Sequence, residues 1–382
     1  MAGDYREKVL FNGLRKEWSP YVERWHSDKV VYAVYANWMY PLSLGTDVAE
    51  DYRKLRSGAM LYDTPERPIS IQGPDAVRLC ERVFTRPIAN VRVGRCVYGL
   101  ACDPGGGILM DGVLIRLAED HFWYIQAEGD IEHWLLGNGV GMDVEVIDTG
   151  MRVLQIQGPR SHDVLAAAMG APVPEDFTWF AARYFDIGGQ RVLVSNSGYT
   201  GELGIEIYGN HELDHLRLWD HLMEVGAAFD LSMGASDSMA PRRVEAGIMD
   251  NRTDLSRALT PFAAGLGHFV DLDNGVFVGR DALLESDRTQ LLWGLRCDSA
   301  TPSRSDEVGF DGQRVGHMTV GVWSPSLECG IGYVRFDHPI EGGWEGRQVQ
   351  VTVNGSPHPA TIQALPFIDA EKRLPRGLPA TK

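Results

Sequence analysis

Hydrophobic and polar positions in the first half of the chain follow a pattern that occurs twice. ISIQGPDAVRLC at 69–80 and LQIQGPRSHDVLA at 154–166 each combine a short apolar strand, a Gly-Pro turn and an amphipathic helix. The Gly-Pro pair ends the strand, and the polar residues after it can open a helix. Two copies of one strand–turn–helix unit predict a pseudo-symmetric α+β body, although a unit this short also arises without a repeat.

Alternating apolar residues between and after the two copies predict β-hairpins. Gly105 to Gly107 follow Asp103-Pro104 in CVYGLACDPGGGILMDGVLI at 96–115, which is typical of a hairpin turn between two strands. Asp120-His121 marks the next turn. Gly188-Gly189 indicates a further hairpin turn in YFDIGGQRVLV.

Apolar residues at helical spacing predict two longer helices in the middle of the chain. One is expected from Asn210 to Ala228, and the other from Arg242 to Met249. Both follow strand-rich segments, as an α+β body requires.

The last quarter of the chain has a different pattern. After a polar stretch at 285–290, short strands broken by Gly, Pro and Ser run from 291 to 368 and predict a small, barrel-like β unit. We therefore expect an α+β body of two interleaved subdomains over residues 1–288, a β-barrel over 289–370 and a flexible tail at 371–382.

Composition and charge narrow the class of protein. The 382 residues are 44% hydrophobic and 23% charged, a normal globular balance. No apolar run approaches the roughly 20 residues that span a bilayer, and the charged N-terminus lacks the apolar core of a signal peptide, so we expect a cytoplasmic protein with no membrane partner. The net charge of −16 disfavours nucleic acid as a partner, although an acidic surface can also serve solubility alone. An anionic substrate would need a local positive pocket.

Several motifs point to sites that the rest of the pattern does not support. His211, Glu212 and His215 match HExxH, which on one helix face could hold zinc. Asp214 lies inside this motif and the apolar stripe uses other positions, so we interpret it as a polar helix start and expect no metal. The triple glycine lacks the Gly-Lys-Ser/Thr of a phosphate loop, and no GxGxxG or GxSxG motif is present. The cysteines are odd in number and form no CxxC pair, which disfavours a disulfide framework or a structural zinc site. They are Cys80, Cys96, Cys102, Cys297 and Cys329.

NSGYTGELGIEIY at 196–208 carries the strongest chemical signal. Glu206 stands between Ile205 and Ile207 in an apolar strand, so it faces the opposite side from both isoleucines. A carboxylate in a buried strand is unfavourable unless it is paired. It could form an internal ion pair with an arginine such as Arg243. It could equally accept two N–H donors from a flat heterocycle such as a pterin, and the residues alone leave both interpretations open.

The same segment resembles the Gly-Tyr-Thr-Gly-Glu-x-Gly-x-Glu signature of the aminomethyltransferase (glycine-cleavage T-protein) family. Further segments follow in the family's order: FTRPI at 84–88, GGGILMDGVLI at 105–115, IQGPRS at 156–161, RRVEAGIMD at 242–250, LTPFAAGLG at 259–267, FVGRDALL at 277–284 and VGHMTVGVWSPSLECGIGYV at 315–334. The resemblance implies a three-lobed α+β fold with a C-terminal β-barrel and with tetrahydrofolate in a central channel. It implies that Glu206 holds the pterin and that Tyr199, Gln157 and Trp323 also bind the cofactor, Trp323 from a barrel loop.

The chain departs from the family pattern at two positions. Met110 and Asp111 stand where the T-protein has two consecutive aspartates, and Met239 stands where it has an arginine. In this the chain resembles the branch of tetrahydrofolate-dependent demethylases, which is similar to dimethylsulfoniopropionate demethylase and to the vanillate and syringate O-demethylases. Asp-Gly at 111–112 is closer to the aromatic O-demethylases. The carboxylate-binding arginine of the vanillate enzyme, however, falls near Gln126, which is not basic.

This resemblance implies methyl transfer from a methoxylated aromatic acid to N5 of tetrahydrofolate. An aryl ether is a poor methyl donor unless its leaving phenolate is protonated or stabilised. Tyr35 and Tyr98 are candidates for that role, although each could be an ordinary half-buried strand tyrosine. Asp111 would orient the reacting centre or take part in proton transfer.

Other functions remain compatible with the resemblance. One is S- or N-demethylation of a small aliphatic compound such as dimethylsulfoniopropionate. Another is aminomethyl transfer of the glycine-cleavage type, which would need a lipoyl carrier protein. A third is folate-dependent regulation without catalysis. We expect a small-molecule methyl donor as partner and a monomer or homodimer.

Overall fold

The computed structural model describes residues 16–379 apart from 127 and 274. The strands are β1 (Glu17–Trp18), β2 (Val31–Tyr35), β3 (Trp38–Ser43), β4 (Met60–Thr64), β5 (Arg67–Gln72), β6 (Cys96–Cys102), β7 (Ile108–Ala118), β8 (His121–Gln126), β9 (Glu145–Asp148), β10 (Arg152–Gln157), β11 (Ala182–Ile187), β12 (Gln190–Ser195), β13 (Gly204–Gly209), β14 (Ser232–Met233), β15 (Leu292–Cys297), β16 (Glu307–Phe310), β17 (Gln313–Ser324), β18 (Cys329–Phe336), β19 (Gln348–Val353) and β20 (Ser356–Gln363). The α-helices are α1 (Val22–Trp25), α2 (Val48–Ser57), α3 (Ala76–Val83), α4 (Ile131–Asn138), α5 (Ser161–Met169), α6 (His215–Gly226), α7 (Ser236–Glu245) and α8 (Arg280–Glu285).

The body is built around two sheets. One has six strands in the order β11-β12-β13-β10-β4-β14, and the other has five in the order β6-β7-β8-β5-β9. Helices α5 and α6 cover one face of the first sheet, and α3 and α4 cover one face of the second, each with its own apolar core. The remaining faces share a third core, in which Trp123 of β8 meets Tyr208 of β13. Polar side chains on these inner faces therefore lie between the two sheets.

The two predicted strand–turn–helix copies are present, one in each sheet. The first is β5 followed by α3, and the second is β10 followed by α5. Both turns use a glycine with positive φ, +138° at Gly73 and +123° at Gly158. A Cβ at Gly158 would lie 2.4 Å from the carbonyl oxygen of Gly58, so this turn requires glycine for space as well as for conformation.

The predicted C-terminal unit is a closed barrel in the order β15-β18-β17-β16-β19-β20. Its interior is filled by apolar side chains, with Trp344 stacked on Phe336 at 3.8 Å between ring centroids. The prediction of an α+β fold with a C-terminal β-barrel is therefore confirmed. A third sheet, β1-β3-β2, lies at the N-terminal side of the body.

Helix α7 links the body to the barrel. Arg242 donates to Glu202 at 2.5 Å, and Tyr52 and Ser324 both donate to Glu245, at 2.7 and 2.5 Å. From the barrel, the Tyr333 hydroxyl donates to carbonyl oxygens of α7 and of the turn after it. These groups are buried, and each charged one has an opposite charge or a hydroxyl within reach, as burial of charge requires.

Two predicted helices have different bounds in the structure. The helix expected from Asn210 begins at His215, because Asp214 caps it by accepting the Arg217 N–H at 3.0 Å. His211 and Glu212 thus lie in the preceding turn and do not share a helix face with His215. The helix expected from Arg242 already begins at Ser236 and contains Pro241, so tertiary packing outweighs the proline.

The remaining sequence features are placed as follows. The five cysteines are free and buried, and Cys80 lies in the core face of α3 as predicted. The tail that was expected to be loose contacts the body in its described part, where Lys372 donates to the Ala246 carbonyl at 2.6 Å. Among the described residues, no helix is long and apolar enough to cross a membrane.

Candidate active site between the sheets and the barrel

Glu206 lies on the inner face of the six-stranded sheet, opposite Gln155 of β10 and Ser195 of β12. Ile205 and Ile207 face the core on the other side, as the alternation predicted. Glu206 is 7% exposed, and burial raises its pKa. The predicted alternative of an ion pair with Arg243 is wrong, because Arg243 pairs with Asp254 and the groups that donate to the Glu206 carboxylate are hydroxyls and an amide. Its oxygens accept from Tyr208 at 2.6 Å, Ser197 at 3.1 Å, Ser195 at 3.3 Å and Gln155 at 3.3 Å.

A second carboxylate, Glu66, lies beside Glu206 and was not predicted from the sequence. The Gln155 amide donates to Glu66 Oε1 at 2.9 Å as well as to Glu206 Oε1. Burial and then the charge of Glu206 raise the pKa of Glu66 to about 7. Its Oε2 is buried and has no hydrogen-bond partner among the described residues. Two carboxylate oxygens, Glu206 Oε1 and Glu66 Oε2, therefore have capacity to accept N–H donors.

Tyr199 lies next to this pair. Its backbone N–H donates to Gln155 Oε1 at 3.4 Å, and its hydroxyl donates to the Met249 carbonyl at 3.1 Å. The Arg243 guanidinium stands 5.8 Å from the centre of its ring. Gln155 thus connects Glu206, Glu66 and Tyr199 through one side chain.

Asp111 and Tyr98 form the second part of the site, on neighbouring strands of the five-stranded sheet. The Tyr98 hydroxyl donates to Asp111 Oδ2 at 2.9 Å, while Oδ1 is buried and has no hydrogen-bond partner in the part of the chain that the structure describes. Asp111 is 8% exposed. Burial raises its pKa to about 7; the bond from Tyr98 opposes this rise, and the charges of Asp250 and Asp254 add to it. At neutral pH this carboxyl group can therefore either hold or release a proton.

Tyr35 is near enough to both parts for their carboxylates to act on its hydroxyl group. Burial is the largest cause that raises the pKa of Tyr35, and the negative charges of Asp250, Glu66 and Asp111 raise it further. Its ring meets Tyr40 edge to face at 6.2 Å between ring centroids. Because carboxylates from both parts act on one hydroxyl, the structure brings Tyr35 together with Glu66 and Asp111.

Arg243 and Asp254 close the site on the side of α7 and the barrel. Arg243 donates to Asp254 at 3.1 Å and to the Ile248 carbonyl at 2.9 Å. The other oxygen of Asp254 accepts from Thr319 of β17 at 2.6 Å. Asp250 Oδ1, in contrast, is buried and accepts no hydrogen bond from a described residue, and burial raises the pKa of Asp250. The charge of Arg243 is therefore already neutralised by Asp254.

Two predicted cofactor residues are not brought into this arrangement. Gln157 is fully buried, but its amide bonds to Thr200 at 2.7 Å and to the Ser197 carbonyl at 3.2 Å, so it holds the signature loop in place. Trp323 lies within strand β17 and not in a barrel loop, and it is 48% exposed. The neighbouring Ser324 is the residue that points inward, to Glu245.

The chain matches two family models that together cover most of its length. One describes the GCVT N-terminal domain and matches residues 21–274, and the other describes the glycine cleavage T-protein C-terminal barrel domain and matches residues 291–369. The chain belongs to the glycine-cleavage T-protein family. The family resemblance predicted from the signature segment is thereby confirmed.

Relatives in this family agree with the assignment. An aminomethyltransferase of Symbiobacterium thermophilum is 31% identical over 358 residues, which cover 89% of this chain and 94% of the relative. The dimethylsulfoniopropionate demethylase of Ruegeria pomeroyi is 30% identical over 326 residues, covering 81% and 85%, and supports the demethylase branch. The crystal structure of the glycine cleavage system aminomethyltransferase T from Bartonella henselae covers 92% of this chain and 98% of its own, with a TM-score of 0.84 at 25% identity.

Members of the T-protein family are enzymes that use tetrahydrofolate to carry a one-carbon group. The residues present fit this coenzyme, because Glu206 Oε1 and Glu66 Oε2 offer two acceptors with free capacity. A pterin presents an amino group next to a ring N–H, which is the complementary set of donors. Glu206 Oε2 already accepts three hydroxyls.

The departures from the T-protein pattern also have clear positions. Met110 points into the core behind the five-stranded sheet, whereas Asp111 faces the site. Met239 is buried in a small apolar cluster that includes Tyr199 at its edge. Gln126 bonds to the Ile131 N–H at 3.0 Å and to the Gly129 carbonyl at 3.3 Å, so its amide is engaged in the loop after β8.

Proposed function

We propose that this chain is a tetrahydrofolate-dependent demethylase that transfers a methyl group from a methoxylated aromatic acid to N5 of the coenzyme. The pair of Tyr98 and Asp111 carries the proposal. One oxygen of Asp111 is fixed by the Tyr98 hydroxyl at 2.9 Å, and the other is free of partners. Its pKa of about 7 leaves the group partly protonated at neutral pH.

The chemistry explains why a proton donor matters. Transfer breaks the bond between the methyl carbon and the ether oxygen, and the electron pair stays on that oxygen as a phenolate. Protonated Asp111 would give its proton to the phenolate, with Tyr98 holding the carboxyl group in position. Tetrahydrofolate, when bound, supplies N5 as the acceptor of the methyl group. The proton that leaves N5 balances the proton that the phenol gains.

Binding of the coenzyme is assigned to the inner face of the six-stranded sheet. Glu206 and Glu66 would accept the amino and N–H groups of the pterin edge, and Gln155 would keep the two carboxylates at a fixed spacing. Tyr199 would lie against the ring. Trp323 and Gln157 have supporting positions at most, since one is half exposed and the other is bonded within the signature loop.

A second function, demethylation of a small sulfonium or ammonium compound, is favoured by the charge of the site. Asp111 Oδ1 and Asp250 Oδ1 are both buried without a partner, while Arg243 is paired with Asp254. Together with the rings of Tyr35 and Tyr98 this arrangement suits a cationic methyl donor. The sulfur or nitrogen of such a donor becomes neutral when the methyl group leaves and needs no proton, so Asp111 would act in its ionised form.

The experiment is a donor panel read out by the folate product. The protein is incubated with tetrahydrofolate and, separately, with vanillate, syringate, dimethylsulfoniopropionate and methylated amines, and 5-methyltetrahydrofolate is quantified. Turnover of the methoxybenzoates that falls as the pH rises through about 7 supports the first proposal. Turnover of a cationic donor that increases over the same range replaces it with the second.

Two further outcomes decide against both demethylase proposals. Formation of 5,10-methylenetetrahydrofolate would indicate aminomethyl transfer, which is the activity that the names of several relatives carry. Tight binding of tetrahydrofolate without turnover of any donor would indicate a regulatory protein. Asp63→Asn serves as the matched control for Asp111→Asn, because Asp63 is a buried carboxylate of the six-stranded sheet that accepts from Trp25 at 2.9 Å rather than from Tyr98.

A further inference from the structure

A groove of about 710 Å³ lies at the end of the six-stranded sheet, beside the start of α5 and the C-terminal tail. Its volume is in the range of small-molecule sites. The predicted functional residues of the active site are not among its lining residues. Its walls combine apolar and basic side chains, among them Phe177, Trp179, Leu203, Arg95 and Arg376.

The positive charge of the groove stands out in a chain with a net charge of −16. The Arg376 guanidinium lies 5.0 Å from the centre of the Trp179 ring, and no other interaction of this side chain is found within residues 16–379. Arg95 is held against the same wall, since it donates to Thr178 at 3.0 Å and to the Trp179 carbonyl at 2.9 Å. Glu175 is the one carboxylate among the described lining residues.

The floor of the groove carries polar atoms whose bonding is incomplete. Asn196 is 2% exposed, and its amide N–H donates to the Phe177 carbonyl at 2.9 Å. Its Oδ1 and the Nε2 of neighbouring His162 are buried; the two side chains interact with each other, and neither atom has a further partner among the described residues. Burial lowers the pKa of His162, which keeps its ring neutral at pH 7. A ligand with a hydroxyl or amino donor would satisfy Asn196 Oδ1.

This groove lies on the opposite side of the sheet from Glu206. Ser195 and Ser197 bond to each other and to Glu206, whereas the side chain of Asn196 between them bonds to Phe177, which belongs to the core under α5 and α6. The alternation along the chain therefore separates the two sites.

We propose that the groove is a second ligand site for a small aromatic carboxylate that carries a hydroxyl or amino group. The carboxylate would pair with Arg376, the ring would pack on Trp179, and the hydroxyl or amino group would donate to Asn196 Oδ1. The proposal does not depend on which methyl donor the enzyme uses, because none of its residues belongs to the active site.

The test is calorimetric titration of the full chain with 4-hydroxybenzoate in the presence of saturating tetrahydrofolate. Arg376→Ala should weaken binding about tenfold or more, since it removes the charged partner of the carboxylate. Arg314→Ala on the barrel is the matched control and should leave the affinity unchanged, because Arg314 pairs with Asp337 and does not line the groove. Glu206→Gln and Asp111→Asn should also leave it unchanged.

Other results would overturn the proposal. One is that Arg376→Ala and the unchanged protein bind 4-hydroxybenzoate with equal affinity. Another is that only Asp111→Asn loses binding, which would assign the probe to the active site. Undetectable binding at millimolar 4-hydroxybenzoate would also overturn the proposal. Thermal melting of Arg376→Ala checks that the variant is folded, which is expected because the side chain is exposed.

Discussion

Replacing Asp111 with asparagine should abolish methyl transfer and at the same time change how the stability of the protein depends on pH. Burial raises the pKa of Asp111 from 3.8 to about 7, so the folded protein keeps this proton over a range in which the unfolded chain has lost it. The stability that the protonated group contributes is complete below pH 3.8 and is lost as the pH rises through about 7. An asparagine cannot titrate and removes this dependence.

The size of the effect follows from the same pKa. One pH unit of difference corresponds to about 1.36 kcal/mol. Between pH 5 and pH 8, the free energy of unfolding of the variant should therefore gain about 2 to 3 kcal/mol relative to the unchanged protein. Changes in hydrogen bonding around the new amide add an offset that does not vary with pH, and groups that do not interact with Asp111 titrate equally in both proteins.

Urea unfolding at pH 5, 6, 7 and 8, followed by circular dichroism, measures this difference. Asp63→Asn is the control, because burial raises the pKa of Asp63 to about 6; its relative gain should be about 1 kcal/mol over the same range, with activity retained. The reasoning would be refuted by a difference in the free energy of unfolding, between Asp111→Asn and the unchanged protein, that stays constant from pH 5 to pH 8. Retained activity of Asp111→Asn would refute the catalytic role.

Three further predictions concern other parts of the structure. Glu206→Gln should weaken tetrahydrofolate binding by about 10- to 100-fold and Glu66→Gln by about tenfold, because each substitution removes a charge-assisted acceptor. Calorimetry on the folded variants measures the Kd. An unchanged Kd for Glu206→Gln would contradict the assignment of the coenzyme site. Tyr98→Phe should lower kcat with little effect on tetrahydrofolate affinity. It should also raise the pH at which activity changes, because the bond from Tyr98 lowers the pKa of Asp111 and its loss lets that pKa rise. A rate profile identical to that of the unchanged enzyme would exclude this role. Gly158→Ala should lower Tm markedly, because φ is +123° and the new Cβ meets a carbonyl oxygen at 2.4 Å; Gly170→Ala, with nothing within 4 Å, should cost much less.

The fold could be predicted where local signals determine it. The Gly-Pro turns, the triple-glycine hairpin and the short strands of the barrel each have a signature within about ten residues. The start of α7 could not be predicted in this way, because Pro241 argues against a helix locally. The buried partners of Arg242 and Glu245, which come from distant segments, stabilise it.

The site was predictable only in part, for a related reason. Glu206, Asp111 and Tyr98 could be selected by alternation and by family resemblance, and the structure brings Asp111 and Tyr98 into contact. Gln155 and Glu66 could not, since their roles depend on the register of β10 against β13, which the sequence does not specify. The choice of Gln157 over Gln155 reflects the same missing information.

Helix α7 has a consequence for how the whole chain unfolds. Its ten residues carry buried ion pairs and hydroxyl contacts to the body on one side and to the barrel on the other. Pulling the barrel away would remove Ser324 from Glu245, Tyr333 from the carbonyl oxygens of α7 and Thr319 from Asp254, and each buried polar group that loses its partner costs roughly 1 to 3 kcal/mol. The two units should therefore melt in a single cooperative transition, although each has a core large enough to be a domain.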